Sequence, residues 1–261
     1  METGAHPLKC TVRYDGTGFA GWQRQENGPS VQEAVETAFA RIAGTAVPIQ
    51  GAGRTDAGVH ALGQVFSCEW PGPVPARLRH AVSKMLAPRI RIERVAPAPP
   101  GFNARFAAKS KRYVYAFDFG REPDPFAAPY AWHVPYRVDL DLIRQCLPQI
   151  TGRRDFAGFQ STGNQMKSTV RTVYSVTLHR GGWCGPSDNT GLWRLEFHGD
   201  GFLYKMVRNL CGTLIEIGRG RFPESFLENQ LAAGGPFLGH CAPPQGLALA
   251  EVRYDGGESA P

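Results

Sequence analysis

The chain has 261 residues, a formal net charge of +6, 42% hydrophobic and 20% charged residues. That length can bury one large core or two modest ones, and the composition excludes a disordered or fibrous polymer. No apolar run reaches the length of a membrane span. The opening Met1-Glu2-Thr3-Gly4-Ala5-His6-Pro7 lacks a basic start followed by an apolar stretch, so a cytoplasmic protein with no membrane partner is expected.

The first expected strand runs from Leu8 to Tyr14, where Leu8, Cys10, Val12 and Tyr14 alternate with Lys9, Thr11 and Arg13. After a Gly-rich loop, Ser30 opens a helix, with Glu33 placed to complete a capping box. Val31, Ala34, Val35, Ala38, Phe39 and Ile42 share one face, and Gly44 ends the helix. Strands are expected near Val47 to Gln50 and from Leu62 to Trp70. Pro75 starts a second helix with Leu78, Val82, Met85 and Leu86 inward, and a strand from Arg89 to Val95 follows. Pro97-Ala98-Pro99-Pro100-Gly101 then reads as a linker.

Beyond it the order repeats. Lys111 to Phe119 alternates as a strand, and Asp139 caps a helix carrying Leu142, Ile143, Cys146, Leu147 and Ile150, ended by Gly152. Arg171 to Leu178 and Leu192 to His198 form a hairpin around a polar, Gly-rich turn. Phe202 to Ile217 is a helix, a shorter one follows Pro223, and Leu247 to Tyr254 is the last strand. Strand, helix, strand, strand, helix, strand is the ferredoxin-like order. The expected fold is therefore α+β: two ferredoxin-like (RRM-like) halves, 1–100 and 101–261, forming a mostly antiparallel mixed sheet with helices on one face. Such sheets also serve RNA-binding modules that stack bases on aromatics.

Gly16-Thr17-Gly18-Phe19-Ala20-Gly21 fits the G-x-G-x-x-G pattern, but Trp22 to Pro29 intervene before the helix. A dinucleotide site needs the helix to begin at the glycines, so the segment reads as a turn and no nucleotide cofactor is expected. Gly51 to Gly58 lacks the Gly-Lys-Ser/Thr ending of a phosphate loop. Asp56 within it is either a turn cap or a catalytic carboxylate. Small residues on both sides would let a bulky substrate reach the backbone, and Arg54 can hold an anion. The zinc-deaminase, His-Glu-x-x-His and Gly-x-Ser-x-Gly patterns are absent from the sequence. Six cysteines lie far apart and the seven histidines lack ligand spacing, so reduced thiols and no metal are expected.

Arg105 to Tyr115 interleaves cations with aromatics, and on a strand Lys111, Tyr113 and Tyr115 share a face. This is either a solvated edge strand or a phosphate-contacting surface with a stacking platform. Arg208 borders the apolar face of its helix, either snorkelling to solvent or reaching a carboxylate.

Together these motifs resemble the bacterial tRNA pseudouridine synthase A family. The matching residues are Tyr14-Asp15-Gly16, Gly21-Trp22-Gln23-Arg24-Gln25, Ser30-Val31-Gln32-Glu33 and the long run from Ala52 to Val65. They continue with Phe102-Asn103-Ala104-Arg105-Phe106, Arg112-Tyr113-Val114-Tyr115, Met206-Val207-Arg208-Asn209, Gly212 and Gly246-Leu247. The resemblance implies a cofactor-free isomerase of uridines in the anticodon stem and loop of tRNA, working as a homodimer with each site in a basic cleft where the two halves of a subunit meet. It implies Asp56 as the essential carboxylate, Arg208 as its ion-pair partner, Tyr113 as the residue stacking on the uracil, Arg54 as a holder of the extruded nucleotide and Leu247 as packing on the base. RNA contacts would come from Phe102, Asn103, Ala104, Arg105 and Phe106, from Lys111, and from the loop Gly163, Asn164, Gln165, Met166 and Lys167. A non-catalytic RNA-binding protein of the same fold is the competing reading. Departures from the family pattern are Tyr204-Lys205, histidine-rich in some relatives, and a longer turn from Gly181 to Gly191.

Overall fold

The computed structural model describes residues 4–161, 168–184 and 191–255. Among them are ten strands and five α-helices, and the strand pairs are mostly antiparallel, an α+β architecture. The chain forms two compact units: one reaches to Lys109 and includes the segment from Leu249 onward, the other is Ser110–Ala248.

In the first unit, β1 (Ala5–Tyr14), α1 (Val31–Ala43), β2 (Ile49–Gly51), β3 (His60–Pro71), α2 (Leu78–Leu86) and β4 (Ile90–Pro97) follow the expected ferredoxin-like sequence. Their strands pair in the order β4-β1-β3-β2, all antiparallel. Alternation in β1 buries Leu8, Cys10, Val12 and Tyr14. Ser30 caps α1, its hydroxyl accepting from the Glu33 amide at 3.2 Å, and Gly44 closes the helix in the left-handed region at φ 72°. The α1 face buries Val31, Val35, Ala38 and Phe39. In α2 only Leu78 and Val82 are buried, whereas Met85 is 40% exposed. Four residues past Val82, the half-buried Leu86 occupies the inward position and turns Met85 away.

The units do not divide at 97–101. The segment after that break is tied into the first unit: the Ala104 amide donates to Ser67 Oγ at 3.1 Å, Tyr254 Oη to the Ala104 carbonyl at 2.8 Å, and the Lys109 amide to the Arg253 carbonyl at 2.8 Å. The last strand, β10 (Leu247–Arg253), likewise belongs mostly to the first unit, beside β3.

The second unit contains β5 (Ser110–Asp118), a two-residue β6 (Trp132–His133) parallel to β5, α3 (Leu140–Cys146), β7 (Gly152–Asp155), β8 (Val170–Arg180), β9 (Leu192–Gly199), α4 (Met206–Gly218) and α5 (Ser225–Ala233). Its strands run β5-β9-β8-β7, antiparallel throughout. Asp139 caps α3, with Oδ1 accepting from the Asp141 and Leu142 amides at 3.0 Å each. α3 stops at Cys146 and a 3-10 turn carries the chain over Leu147–Ile150, so Gly152 does not end the helix but begins β7, whose four residues are all exposed and carry no alternation. α4 is the central helix of this unit, buried from Met206 to Gly218 except at Arg208.

Gly212 lets the chain near His240 press against α4, since a Cβ there would lie 1.8 Å from the His240 carbonyl oxygen. Gly212→Ala is expected to cost about 1–3 kcal/mol or more by overpacking. Gly44→Ala, with open space and only the left-handed backbone to resist it, should cost about 1–2 kcal/mol. Urea unfolding of both variants checks the ranking.

Candidate active site

Asp56 sits in the connection from β2 to β3, and its position is set by the loop that follows β1. The Trp22 amide donates to the Thr55 carbonyl at 3.0 Å, and the Gly58 amide to the Phe19 carbonyl at 3.3 Å. Two glycines make this backbone-to-backbone contact possible. A Cβ on Gly16 would lie 2.1 Å from the Val59 carbonyl oxygen, and one on Gly21, at φ 111°, 2.7 Å from that of Thr55. The Gly16 to Gly21 turn thus serves as a close-fitting backing for the Asp56 loop.

The loop is fixed from within as well. Tyr14 Oη and Thr55 Oγ1 are 2.8 Å apart, and Gln64 Nε2 donates to the Gly53 carbonyl at 2.8 Å. The Val59 amide closes a turn on the Asp56 carbonyl at 3.1 Å, with Gly58 at φ 75°. Ala52, Thr55 and Val59 are buried while Arg54 is exposed and Asp56 half-buried. Below, Trp22 packs between Tyr14 and Phe66, at ring separations of 5.9 and 6.3 Å, and fits because Gly51 has no side chain. Burial pushes the Tyr14 phenol well above its ordinary range, outweighing its bonds to Thr55 and Gln64. It is a neutral strut, not a proton donor in the working range.

At the start of the same turn, His60 Nδ1 accepts from the Gly16 amide at 3.1 Å and lies 3.2 Å from Asp15 Oδ1. Nδ1 accepts from Gly16 when it carries no proton and donates to Asp15 when it does, so the two contacts are alternatives. Burial alone would raise the Asp15 carboxyl. The hydroxyl and amide of Thr17, with the charges of His60 and Arg89, prevail and hold it below the usual carboxylate range.

Also in the first unit, Asn103 Oδ1 accepts from the Arg105 and Phe106 amides at 2.9 and 3.2 Å, shaping a tight turn. Ala104 is buried, Phe102 rests against Tyr254 at 5.5 Å, and Phe106 is 80% exposed with the Arg105 guanidinium 5.6 Å from its ring centre. Arg105 and Phe106 thereby present a cation and an aromatic face to solvent.

In the second unit, Tyr113 lies on β5 opposite Phe197 of β9, largely buried, with Phe202 edge-on at 5.2 Å. Lys111 is two residues earlier on the same face, opposite Gly199. Tyr115, two residues later, is fully buried and donates to the Pro243 carbonyl at 2.7 Å. Burial pushes its phenol well above the ordinary range; the nearby Cys211 adds to this and the Arg208 charge opposes it. Arg208, in the first turn of α4, donates from Nε to the Ala242 carbonyl at 2.8 Å, and the Ala242 amide returns a bond to the Arg208 carbonyl at 3.1 Å. Arg208 is therefore directed by the 240–247 loop, which ends in a 3-10 turn at Pro244–Gly246 and delivers the buried Leu247.

The second unit thus gathers Arg208, Tyr115 and the loop that ends at Leu247, with Tyr113 on the same strand face. The first unit separately holds Asp56, Arg54 and the 102–106 turn. Gly163, Asn164, Gln165, Met166 and Lys167 lie outside the described residues. The sequence reading missed Tyr14, Thr55 and Tyr115 as supports, and treated the first glycines only as a turn. Their signal was the combination of small residues in both loops, which implies close approach of two backbones.

A family model described as tRNA pseudouridine synthase matches residues 11–107 and 148–255. A tRNA pseudouridine synthase A of Geobacter sulfurreducens is 39% identical over 249 residues, covering 95% of this chain and 99% of its own length. One of Streptococcus mutans is 38% identical over 250 residues, covering 95% and 98%. The chain belongs to the tRNA pseudouridine synthase family. It is an isomerase by class.

Gly21→Ala should displace the Asp56 loop, and a misplacement of about 1 Å caused even by a change far from the chemistry can cost on the order of 100-fold in rate. Gly44→Ala should leave kcat near wild type, so tritium release from uridine labelled at carbon 5, run on both variants, separates loop displacement from general destabilisation. Asp15 yields a pH prediction. Because its folded pKa is depressed, its contribution is fully present above the ordinary carboxylate range and is lost as pH falls through the folded value. Asp15→Asn should make the decline of the urea midpoint between about pH 5 and pH 3 shallower.

Proposed function

We propose that this enzyme converts uridine to pseudouridine in the anticodon stem and loop of tRNA, with Asp56 as its single catalytic carboxylate. The observation that carries the reading is the Asp56 turn itself. Thr55 before it and Val59 after it are buried, and the loop is hydrogen-bonded through Tyr14, Trp22 and Gln64, while Asp56 itself stays half-exposed. A turn cap needs no such backing from a second loop.

The reaction breaks the bond from the ribose C1′ to base nitrogen 1 and forms one from C1′ to carbon 5. The hydrogen on carbon 5 leaves as a proton and nitrogen 1 ends protonated, so no electrons are exchanged with a partner. One ionised carboxylate can act as nucleophile or base for this sequence. In this reading Arg208 is the opposite charge that pairs with Asp56. Tyr113 stacks on the uracil, Leu247 packs against it, and Arg54 holds the extruded nucleotide.

Extruding the base costs a few kcal/mol, and stacking on Tyr113 returns about 1–3 kcal/mol. The remainder falls to backbone contacts from the Phe102 to Phe106 turn, Lys111 and the Gly163 to Lys167 loop, favoured by the chain's +6 charge. We further propose that two copies work as a homodimer in the cytoplasm.

Asp56→Ala should bind tRNA in a filter assay with near wild-type affinity, yet release no tritium from uridine labelled at carbon 5. Substantial release would remove Asp56 from the chemistry. Tyr113→Phe should keep most activity, whereas Tyr113→Leu should lose about 5- to 100-fold, the rate equivalent of one stacking contact. Equal activities in the two variants would contradict the stacking role. Mapping pseudouridine in treated tRNA tests the anticodon assignment.

A further inference from the structure

Three side chains of the second unit direct N–H or O–H groups at the carbonyls of one short loop. Arg208 Nε takes Ala242, Tyr115 Oη takes Pro243, and Trp183 Nε1 takes Gly246, at 2.8, 2.7 and 2.8 Å. The first two donors come from the α4 and β5 framework. Trp183 comes from the stretch between β8 and β9, the turn that departs from the family pattern in length. Its indole packs on a buried cluster of Ala116, Ala127, Ala131 and Leu192, with Tyr130 edge-on at 5.6 Å.

Gly246 immediately precedes Leu247 and is pressed on its other side by Tyr115, whose ring carbons would lie 2.6 Å from a Cβ at that position. The peptide joining Gly246 to Leu247 is therefore gripped from two directions. Rotating it to move the Leu247 side chain would break the Trp183 bond or drive Gly246 into the Tyr115 ring. We infer that Trp183 is a positioning residue for the isomerisation: its indole N–H fixes the Gly246 carbonyl and so sets where Leu247 meets the target base. This rests on the reading that Leu247 packs on the uracil.

The test is a double-mutant cycle on tritium release under saturating and subsaturating tRNA, using Trp183→Phe, Leu247→Ala and the pair. Phenylalanine keeps an aromatic ring in the alanine cluster and removes the N–H. Trp183→Phe should lower kcat about 3- to 10-fold, the rate equivalent of one net hydrogen bond, with KM for tRNA and the melting midpoint close to wild type. In the Leu247→Ala background the same substitution should have no further effect on kcat, because the side chain it positions is gone. A purely structural tryptophan would lower the melting midpoint and act additively with Leu247→Ala, which would overturn the inference. So would a wild-type kcat for Trp183→Phe beside a slow Leu247→Ala. A wild-type kcat for Leu247→Ala would overturn the Leu247 assignment itself, and the inference with it.

Discussion

The contact between the loop after β1 and the loop before β3 is one of backbone on backbone, and the first unit's part of the site depends on it. The Trp22 amide reaches the Thr55 carbonyl only because Gly21 presents no Cβ, and Gly16 clears the path of Val59 in the same way. A side chain at either glycine would push the two loops apart. The Thr55 carbonyl would then lose its amide partner inside a buried layer, at the cost that any unsatisfied buried carbonyl carries. Tyr14 and Gln64 add bonds to the same loop, yet neither substitutes for the close approach. Trp22 shows why: it fills the space beneath the loop because Gly51 leaves room for its ring.

The second unit holds its loop by other means. Backbone clearance matters at Gly212 and Gly246, but the 242–246 carbonyls are taken by side-chain donors from three separate elements. Both devices restrict a loop before any ligand arrives, which removes ordering entropy from the binding step. They differ in sensitivity. A backbone contact fails abruptly with a single added methyl group, whereas a side-chain donor can be lost with a modest shift. Loss of loop geometry by small steps is therefore expected around Leu247, and by large ones around Asp56.

The secondary structure was legible where local chemistry decides it. Ser30, Gly44 and Asp139 act as caps because their requirements lie within one turn of chain, and the alternation of β1 shows directly in Leu8 to Tyr14, whereas β5 is buried on both faces from Tyr113 to Asp118 and keeps no alternation. What could not be read depends on partners far away in sequence. β7 is exposed on every residue, so no pattern marks it. The proline-rich break at 97–101 reads as a boundary, yet Ala104 is held by Ser67 and by Tyr254, 150 residues on. At the site, Asp56 was ambiguous by itself because a cap and a catalyst need the same residue. The late start of α1 made the Gly16 to Gly21 segment read as a turn, but its role as backing needed the position of Val59 and Thr55. Trp183 carried no signal at all, since nothing local connects an indole in a turn to a carbonyl 63 residues later.

Two buried phenols narrow what the site can do with protons. Tyr14 supports the Asp56 loop and Tyr115 the Leu247 loop, and burial raises both well above the range in which an enzyme works near neutrality. A phenol so far above the operating pH stays protonated and lies outside the range best suited to proton transfer, and each hydroxyl is committed to one partner. Neither phenol needs to exchange a proton for the part it plays in holding its loop. The same burial that raises these phenols holds their rings in place, so the two tyrosines act as supports because water does not reach them.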